Sequence, residues 1–220
     1  MNPVHIYRTQ FQEKLDEKTY NEYMHLLPAS LQAEINAYKH WESGQASLLG
    51  KMLLSYGLKD MQLHYALSDI LIGHKDRPYI HPDLDFNISH SGEYVVVAIT
   101  QHAKVGIDIE KQRMLDVTLF RKYFDANEWD EIQNGEDMLK QFFELWTIKE
   151  SAIKCDGRGV EILSRTHLLD KKLQTVQCDG DKFYYLLLSV EKNYTCCVCS
   201  DQEMEIVLKD LIPRELKSVQ

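Results

Sequence analysis

The sequence predicts an α+β fold assembled from two similar halves, 1–102 and 103–220. Segments with helical spacing of apolar residues give way to alternating or β-branched strands, and that order occurs twice. Each half ends in a hairpin pattern, 86–90 with 94–100 around Ser91-Gly92-Glu93, and 183–190 with 194–199 around Glu191-Lys192-Asn193. With 220 residues, 44% of them hydrophobic, the chain can bury one large core or two cores of about 100 residues each. No internal repeat and no low-complexity segment accompany the duplication.

In chain order, a short strand is expected at 4–7, then a helix over 13–27 with Leu15, Tyr20, Tyr23, Met24 and Leu27 inward. Pro28 punctuates. A second helix over 30–41 turns Leu31, Ile35 and Tyr38 inward, and a third over 45–56 buries Leu48, Leu49, Met52 and Leu53, with Gly57 as its C-cap. A strand is expected within 61–72, and Arg77-Pro78-Tyr79-Ile80-His81-Pro82 is extended or turn-like, because proline biases its predecessor away from the helix. Val105 to Glu110 alternates strictly, with Val105, Ile107 and Ile109 on one face and Gly106, Asp108 and Glu110 on the other. One or two helices over 117–134 hold Leu119, Phe120, Phe124, Trp129 and Ile132; a long helix over 137–155 stops at Gly157, and a polar tail follows Pro213.

Composition narrows the function. A net charge of −9 argues against non-specific binding to nucleic acid or an acidic membrane, so an anionic ligand must meet a local positive patch. The five cysteines include Cys196, Cys197 and Cys199 without a second ligand pair, which reads as small apolar residues on a strand in a reducing compartment rather than as zinc ligands. The first residues lack a basic region before an apolar one, and no apolar run approaches the roughly 20 residues that span a bilayer. A cytoplasmic location is the expectation.

The long helix carries the chemistry. Relative to Leu139, Phe142, Phe143, Trp146 and Ile153 lie within about 60°, and Glu150 falls near 20° inside the same apolar arc. Lys149 also points inward, between Leu145 and Phe142. Burying unpaired charges costs several kcal/mol, so these groups need a partner. An i,i+4 ion pair between Glu150 and Lys154 is one answer. The other comes from Asp108 and Glu110, whose carboxylates project from the same side of a strand and can converge on a cation. With Glu150 they form an all-oxygen donor set suited to Mg²⁺ and phosphate chemistry, with lysines nearby to neutralise developing charge. Ser89-His90-Ser91-Gly92 offers hydroxyls, an imidazole and backbone N–H groups to a phosphate, whereas Gly157-Arg158-Gly159 is too short for a nucleotide fingerprint.

Three blocks, Phe86-Asn87-Ile88-Ser89-His90-Ser91-Gly92, Gly106-Ile107-Asp108-Ile109-Glu110, and Trp146-Thr147-Ile148-Lys149-Glu150-Ser151-Ala152-Ile153-Lys154-Cys155-Asp156-Gly157-Arg158-Gly159, resemble the signatures of the 4′-phosphopantetheinyl transferases of the surfactin-synthetase-activating type. Leu48-Leu49-Gly50 and Arg77-Pro78-Tyr79 extend the likeness over most of the chain. The resemblance implies a pseudo-twofold pair of α+β subdomains with coenzyme A between them. It implies an enzyme of the holo-acyl-carrier-protein synthase kind, which moves phosphopantetheine from coenzyme A to a serine of an apo acyl or peptidyl carrier protein in fatty-acid, polyketide or nonribosomal peptide synthesis. Adenosine 3′,5′-bisphosphate is the product left behind. By the same resemblance Asp108, Glu110 and Glu150 hold Mg²⁺, Glu150 accepts the serine proton, and Lys154 assists the leaving phosphate. Ser47, Ser89 and His90 contact the nucleotide, His90 at its 3′-phosphate, and Lys149 adds positive charge.

Residues 30–36 lack the lysines and arginines such proteins often carry there, with Glu34 acidic instead. Asp76-Arg77-Pro78 replaces a Gly-Lys-Pro, which makes Arg77 the expected phosphate partner, with Lys75 beside it. Lys111, Arg113, Arg121 and Lys122 mark Lys111 to Phe124 as the expected carrier-docking region of a monomer. The competing readings are a coenzyme A-binding protein without turnover and a metal-dependent hydrolase of coenzyme A or another diphosphate.

Overall fold

A computed structural model describes residues 2–216. The chain begins with β1 (Asn2–Gln10), α1 (Glu17–His25), α2 (Ala29–Asn36) and α3 (Trp41–Asp60). A short hairpin of β2 (Leu71–Ile72) and β3 (Pro78–Tyr79) leads to β4 (Leu84–Ser91), β5 (Tyr94–Gln101) and β6 (Val105–Lys111). Then come a 3₁₀ segment (Val117–Tyr123), α4 (Ala126–Asn134) and α5 (Met138–Asp156). The remaining strands are β7 (Thr166–Asp170), β8 (Thr175–Cys178), β9 (Asp181–Leu188), β10 (Tyr194–Ser200) and β11 (Met204–Leu211). The expected polar tail falls partly outside the described residues.

One sheet has the order β11-β1-β5-β4 and the other β6-β10-β9-β8-β7. Alternation along β5 explains the layering: Val95, Val97 and Ile99 pack with Leu49, Leu53 and Tyr7 beneath α3, while Val96 and Ala98 turn to the opposite face. That opposite face meets Val105, Ile107, Ile109, Cys196 and Val198 of the second sheet. The second sheet's outer face, with Val176, Cys197 and Cys199, packs under Ile148 and Ala152 of α5. The division expected after residue 102 falls in the β5–β6 connection, but β11 returns to pair in parallel with β1, so residues 204–211 belong to the first sheet.

Local chemistry places the helix ends. Asp16 accepts from Thr19 N at 2.9 Å, Asp125 and Glu128 form a reciprocal capping box on α4, and Asp137 caps α5. Gly157 ends α5 with φ 87°, the left-handed geometry a glycine tolerates. Gly57 does not end α3 as expected. It lies inside the helix, where a Cβ would stand 2.5 Å from Ile99 and 2.6 Å from Tyr7, so its missing side chain lets α3 rest on the sheet. The strand expected within 61–72 reduces to a 3₁₀ turn and β2.

Candidate functional site

The two halves meet where edge strand β4 runs beside edge strand β6. The outward N–H groups of β6 are satisfied by side chains: Asp85 Oδ2 accepts from Val105 N (2.8 Å), Asn87 Oδ1 from Ile107 N (2.9 Å), Ser89 Oγ from Ile109 N (3.3 Å) and Ser91 Oγ from Lys111 N (3.0 Å). Residues at i, i+2, i+4 and i+6 share one strand face, so this spacing repeats the 20-residue offset to β6 at every step. An unpaired edge is thereby closed without a continuous backbone ladder. The pattern Asp85-x-Asn87-x-Ser89-x-Ser91 was visible in the sequence, yet its bridging role needs the partner strand.

This seam aims the next residues of β6. Asp108 is buried, and its Oδ1 receives Lys154 Nζ at 2.5 Å and Ser89 Oγ at 3.0 Å. Lys154 Nζ also reaches Ser89 Oγ at 3.2 Å and Ile107 O at 3.4 Å. Glu110 accepts from Ser91 Oγ at 3.1 Å, with Arg113 Nη1 at 3.6 Å. Burial, chiefly, and the neighbouring Asp108 push the Glu110 carboxyl up. Glu150, one turn before Lys154, lines a cleft with Lys75, Pro78, Asn87 and Gly159. Burial raises its pKa to about 7, with Asp108 and Glu110 adding to the rise and Lys154 opposing it. Close approach of α5 to β6 depends on Gly106, because a Cβ there would lie 2.1 Å from Ser151 O and 2.4 Å from Cys155 N.

The donor set fits a hard divalent cation. It is all carboxylate, its members repel one another, and Asp108 Oδ2 is buried with no hydrogen-bond partner among the described residues. Among the described residues Asp108, Glu110 and Glu150 are not drawn within 4.8 Å of one another, and the group whose ligand atoms all lie that close is Asp125, Glu128 and His167. There the Lys149 ammonium already supplies the positive charge, 2.7 Å from Glu128 Oε2.

That pair corrects the expectation for Lys149. Its side chain is completely buried, donating to Glu128, Tyr123 O and Thr166 O and lying over the Phe124 ring, among the α4, α5 and β7 contacts rather than in the cleft. An inward direction on the helical wheel was visible; which core it enters was not. Lys75 is exposed at the cleft and pairs with Glu161 at 2.7 Å. Arg77 lines the cleft too, but its Nη atoms are engaged by Asp85, Lys154 O and Val105 O. His90 projects from the opposite face of β4 to Ser89, into a recess with Trp41 and Ser43. Its pKa is lowered by desolvation and then by the ammonium groups of Lys154 and Lys51. Ser47 Oγ is buried beside Glu34 Oε1 at 3.4 Å, and Lys51 approaches the same carboxylate at 3.5 Å. Sequence reasoning missed Asp85, Asn87 and Lys51 as site-building residues.

Acids on β6 and an acid and a lysine on α5 thus face one another at the β4–β6 seam, and comparisons with known proteins give the family. The chain belongs to the 4′-phosphopantetheinyl transferase superfamily, an enzyme family: a model of that superfamily matches residues 104–199, and a model of the N-terminal part of a 4′-phosphopantetheinyl transferase matches residues 14–102. It is 35% identical over 171 residues to 4′-phosphopantetheinyl transferase gsp of Aneurinibacillus migulanus, covering 74% of this chain and 71% of the relative. To 4′-phosphopantetheinyl transferase Sfp of Bacillus subtilis strain 168 it is 28% identical over 163 residues, 71% of this chain and 72% of that one. The human L-aminoadipate-semialdehyde dehydrogenase-phosphopantetheinyl transferase matches at 34% over 96 residues, 39% of this chain and 31% of the relative. Among the described residues no helix is long and apolar enough to cross a membrane.

Proposed function

We propose that this enzyme transfers 4′-phosphopantetheine from coenzyme A to the serine hydroxyl of an apo acyl or peptidyl carrier protein, leaving adenosine 3′,5′-bisphosphate. The observation that carries the reading is that Asp108 and Glu110 on β6 lie near enough to Glu150 on α5 to act on its charge, with Lys154 on Asp108 Oδ1 and Asp108 Oδ2 without a partner among the described residues. Asp108, Glu110 and Glu150 are the residues that would hold Mg²⁺, which when bound neutralises pyrophosphate charge.

In the transfer, the serine oxygen forms a bond to the phosphorus that carries pantetheine, and the bond from that phosphorus to the bridging oxygen breaks. Glu150 accepts the serine proton, directly or through one water; burial and the neighbouring carboxylates raise its affinity for a proton, and a bound cation would oppose that rise. The Lys154 ammonium donates to the phosphate oxygen that gains charge as the nucleotide leaves. Ser89 holds Lys154 in place, and Ser47, Lys75 and His90 serve the nucleotide end. The segment from Lys111 to Phe124, with Met114 and Leu119 largely exposed, is the proposed carrier surface of a single-chain, monomeric enzyme.

The test incubates the protein with Mg²⁺, coenzyme A and apo carriers from fatty-acid, polyketide and peptide-synthetase systems, and reads carrier mass. A gain of one phosphopantetheine is expected for at least one carrier. Tight coenzyme A binding without a mass gain would refute transfer in favour of a binding role, and phosphopantetheine release without carrier would indicate hydrolysis.

A further inference from the structure

We infer that Arg77 is a positioning residue: it clamps the last turn of α5 to the β4–β6 seam and so sets where the Lys154 ammonium stands. This inference rests on the transferase reading of the site. Arg77 Nη1 donates to Lys154 O, and Nη2 donates to Asp85 Oδ1 and Oδ2 at 3.0 and 2.8 Å and to Val105 O at 2.9 Å. Asp85 Oδ2 also accepts from Val105 N at 2.8 Å. Both backbone polar groups of Val105, where the chain enters the second half, are therefore held by the Arg77–Asp85 pair.

Lys154 O is one of the carbonyls a helix leaves without an i+4 donor at its C-terminus. The N–H that would reach it, from Arg158, instead donates to Asp156 Oδ1 at 3.0 Å. A guanidinium satisfies that carbonyl and also complements the negative end of the helix. Lys154 is consequently held at two ends, its carbonyl by Arg77 and its ammonium by Asp108 and Ser89. The side chains of Arg77 and Asp85 are only 21% and 18% exposed, which keeps solvent from replacing the pair. With Nη1 on Lys154 O and Nη2 shared among Asp85 Oδ1, Asp85 Oδ2 and Val105 O, the guanidinium is committed to protein acceptors rather than held open for the phosphate contact expected from the sequence.

The test compares wild type, Arg77→Gln, Arg77→Lys, Asp85→Asn and the double variant Asp85→Asn/Arg77→Gln. Steady-state transfer is followed with varied coenzyme A, alongside hydrogen exchange of the amides of 153–158. For Arg77→Gln, kcat falls on the order of 100-fold, the scale of a small misplacement of a reacting group, while KM for coenzyme A changes less than about threefold. Asp85→Asn moves kcat the same way, the double variant adds little to Arg77→Gln, and Arg77→Lys recovers part of the loss. Exchange quickens at 153–158 and not across β10. A selective rise in KM with kcat retained would overturn the inference in favour of a phosphate-binding Arg77. Unchanged exchange at 153–158, or acceleration spread evenly over the protein, would overturn it as well. Should wild type transfer nothing to any carrier, the transferase reading falls, and the exchange comparison alone decides whether Arg77 clamps α5. If Arg77→Gln does not fold, Arg77→Lys and Asp85→Asn carry the same comparison.

Discussion

Replacing Lys149 with methionine separates a structural lysine from a catalytic one. The ammonium is completely buried, pairs with Glu128 at 2.7 Å and donates to two backbone carbonyls, so its loss strands a carboxylate that is 5% exposed. Breaking a buried pair on one side costs about 3–5 kcal/mol. For a chain of this size each kcal/mol moves the melting midpoint by about 2–4 °C, so Lys149→Met should melt roughly 6–20 °C below wild type. Converting both partners, as Lys149→Met with Glu128→Gln, removes the orphaned charge and leaves an amide oxygen for one of the two N–H groups of Asp125 and Leu168 that Glu128 accepts from, so part of the loss should return. Thermal unfolding by circular dichroism measures both variants. Transfer activity assayed well below the lower midpoint should stay within about threefold of wild type, since the ammonium does not reach the cleft. A Lys149→Met protein that melts like wild type but transfers poorly would refute the structural assignment.

Other consequences are equally direct. Gly106→Ala drives a methyl group into the backbone of Ser151 and Cys155, so it should lose about 1–3 kcal/mol or more and most activity together, read by unfolding and by the mass-shift assay. Glu150→Gln should abolish transfer while the protein stays folded; activity close to wild type would remove Glu150 from the proton-accepting role. The same variant has a pH signature in the presence of a chelator. Burial raises the folded carboxyl from an ordinary 4.5 to about 7, so folding favours the protonated form, and stability from this group is present below about 4.5 and is lost as pH rises towards 7. The Glu150→Gln midpoint should thus rise relative to wild type across that window; a pH-independent difference would contradict it. Asn87→Ala leaves the Ile107 N–H at the seam without its acceptor, and should cost about 1–3 kcal/mol by thermal unfolding and lower kcat through Asp108.

Much of the architecture could be read from residue order. Strict alternation at Val105 to Glu110 defines β6, and Asp137 and Gly157 bracket α5 as observed. Elements whose partners lie far away were less legible. Gly57 looks like a stop signal locally and proves to be a contact surface for Tyr7 and Ile99. β11 was absent from the reading because its partner, β1, lies at the other end of the chain. The 61–72 stretch carries β-forming residues but gains only a two-residue pairing, with β3.

At the site the same division holds. Placing Asp108 and Glu110 on one strand face, and Glu150 and Lys154 on one helical side, requires only the periods of strand and helix, which are properties of the local chain. The signature residues also sufficed for the superfamily. Tertiary structure alone decided which inward charge meets which partner: Lys149 and Lys154 are five residues apart, yet one is sealed against Glu128 and the other touches Asp108. It also set Arg77, the expected phosphate partner, against Lys154 O, Asp85 and Val105 O. Periodicity states the direction of a side chain from its own backbone, whereas pairing and desolvation depend on the groups that distant segments bring to meet it.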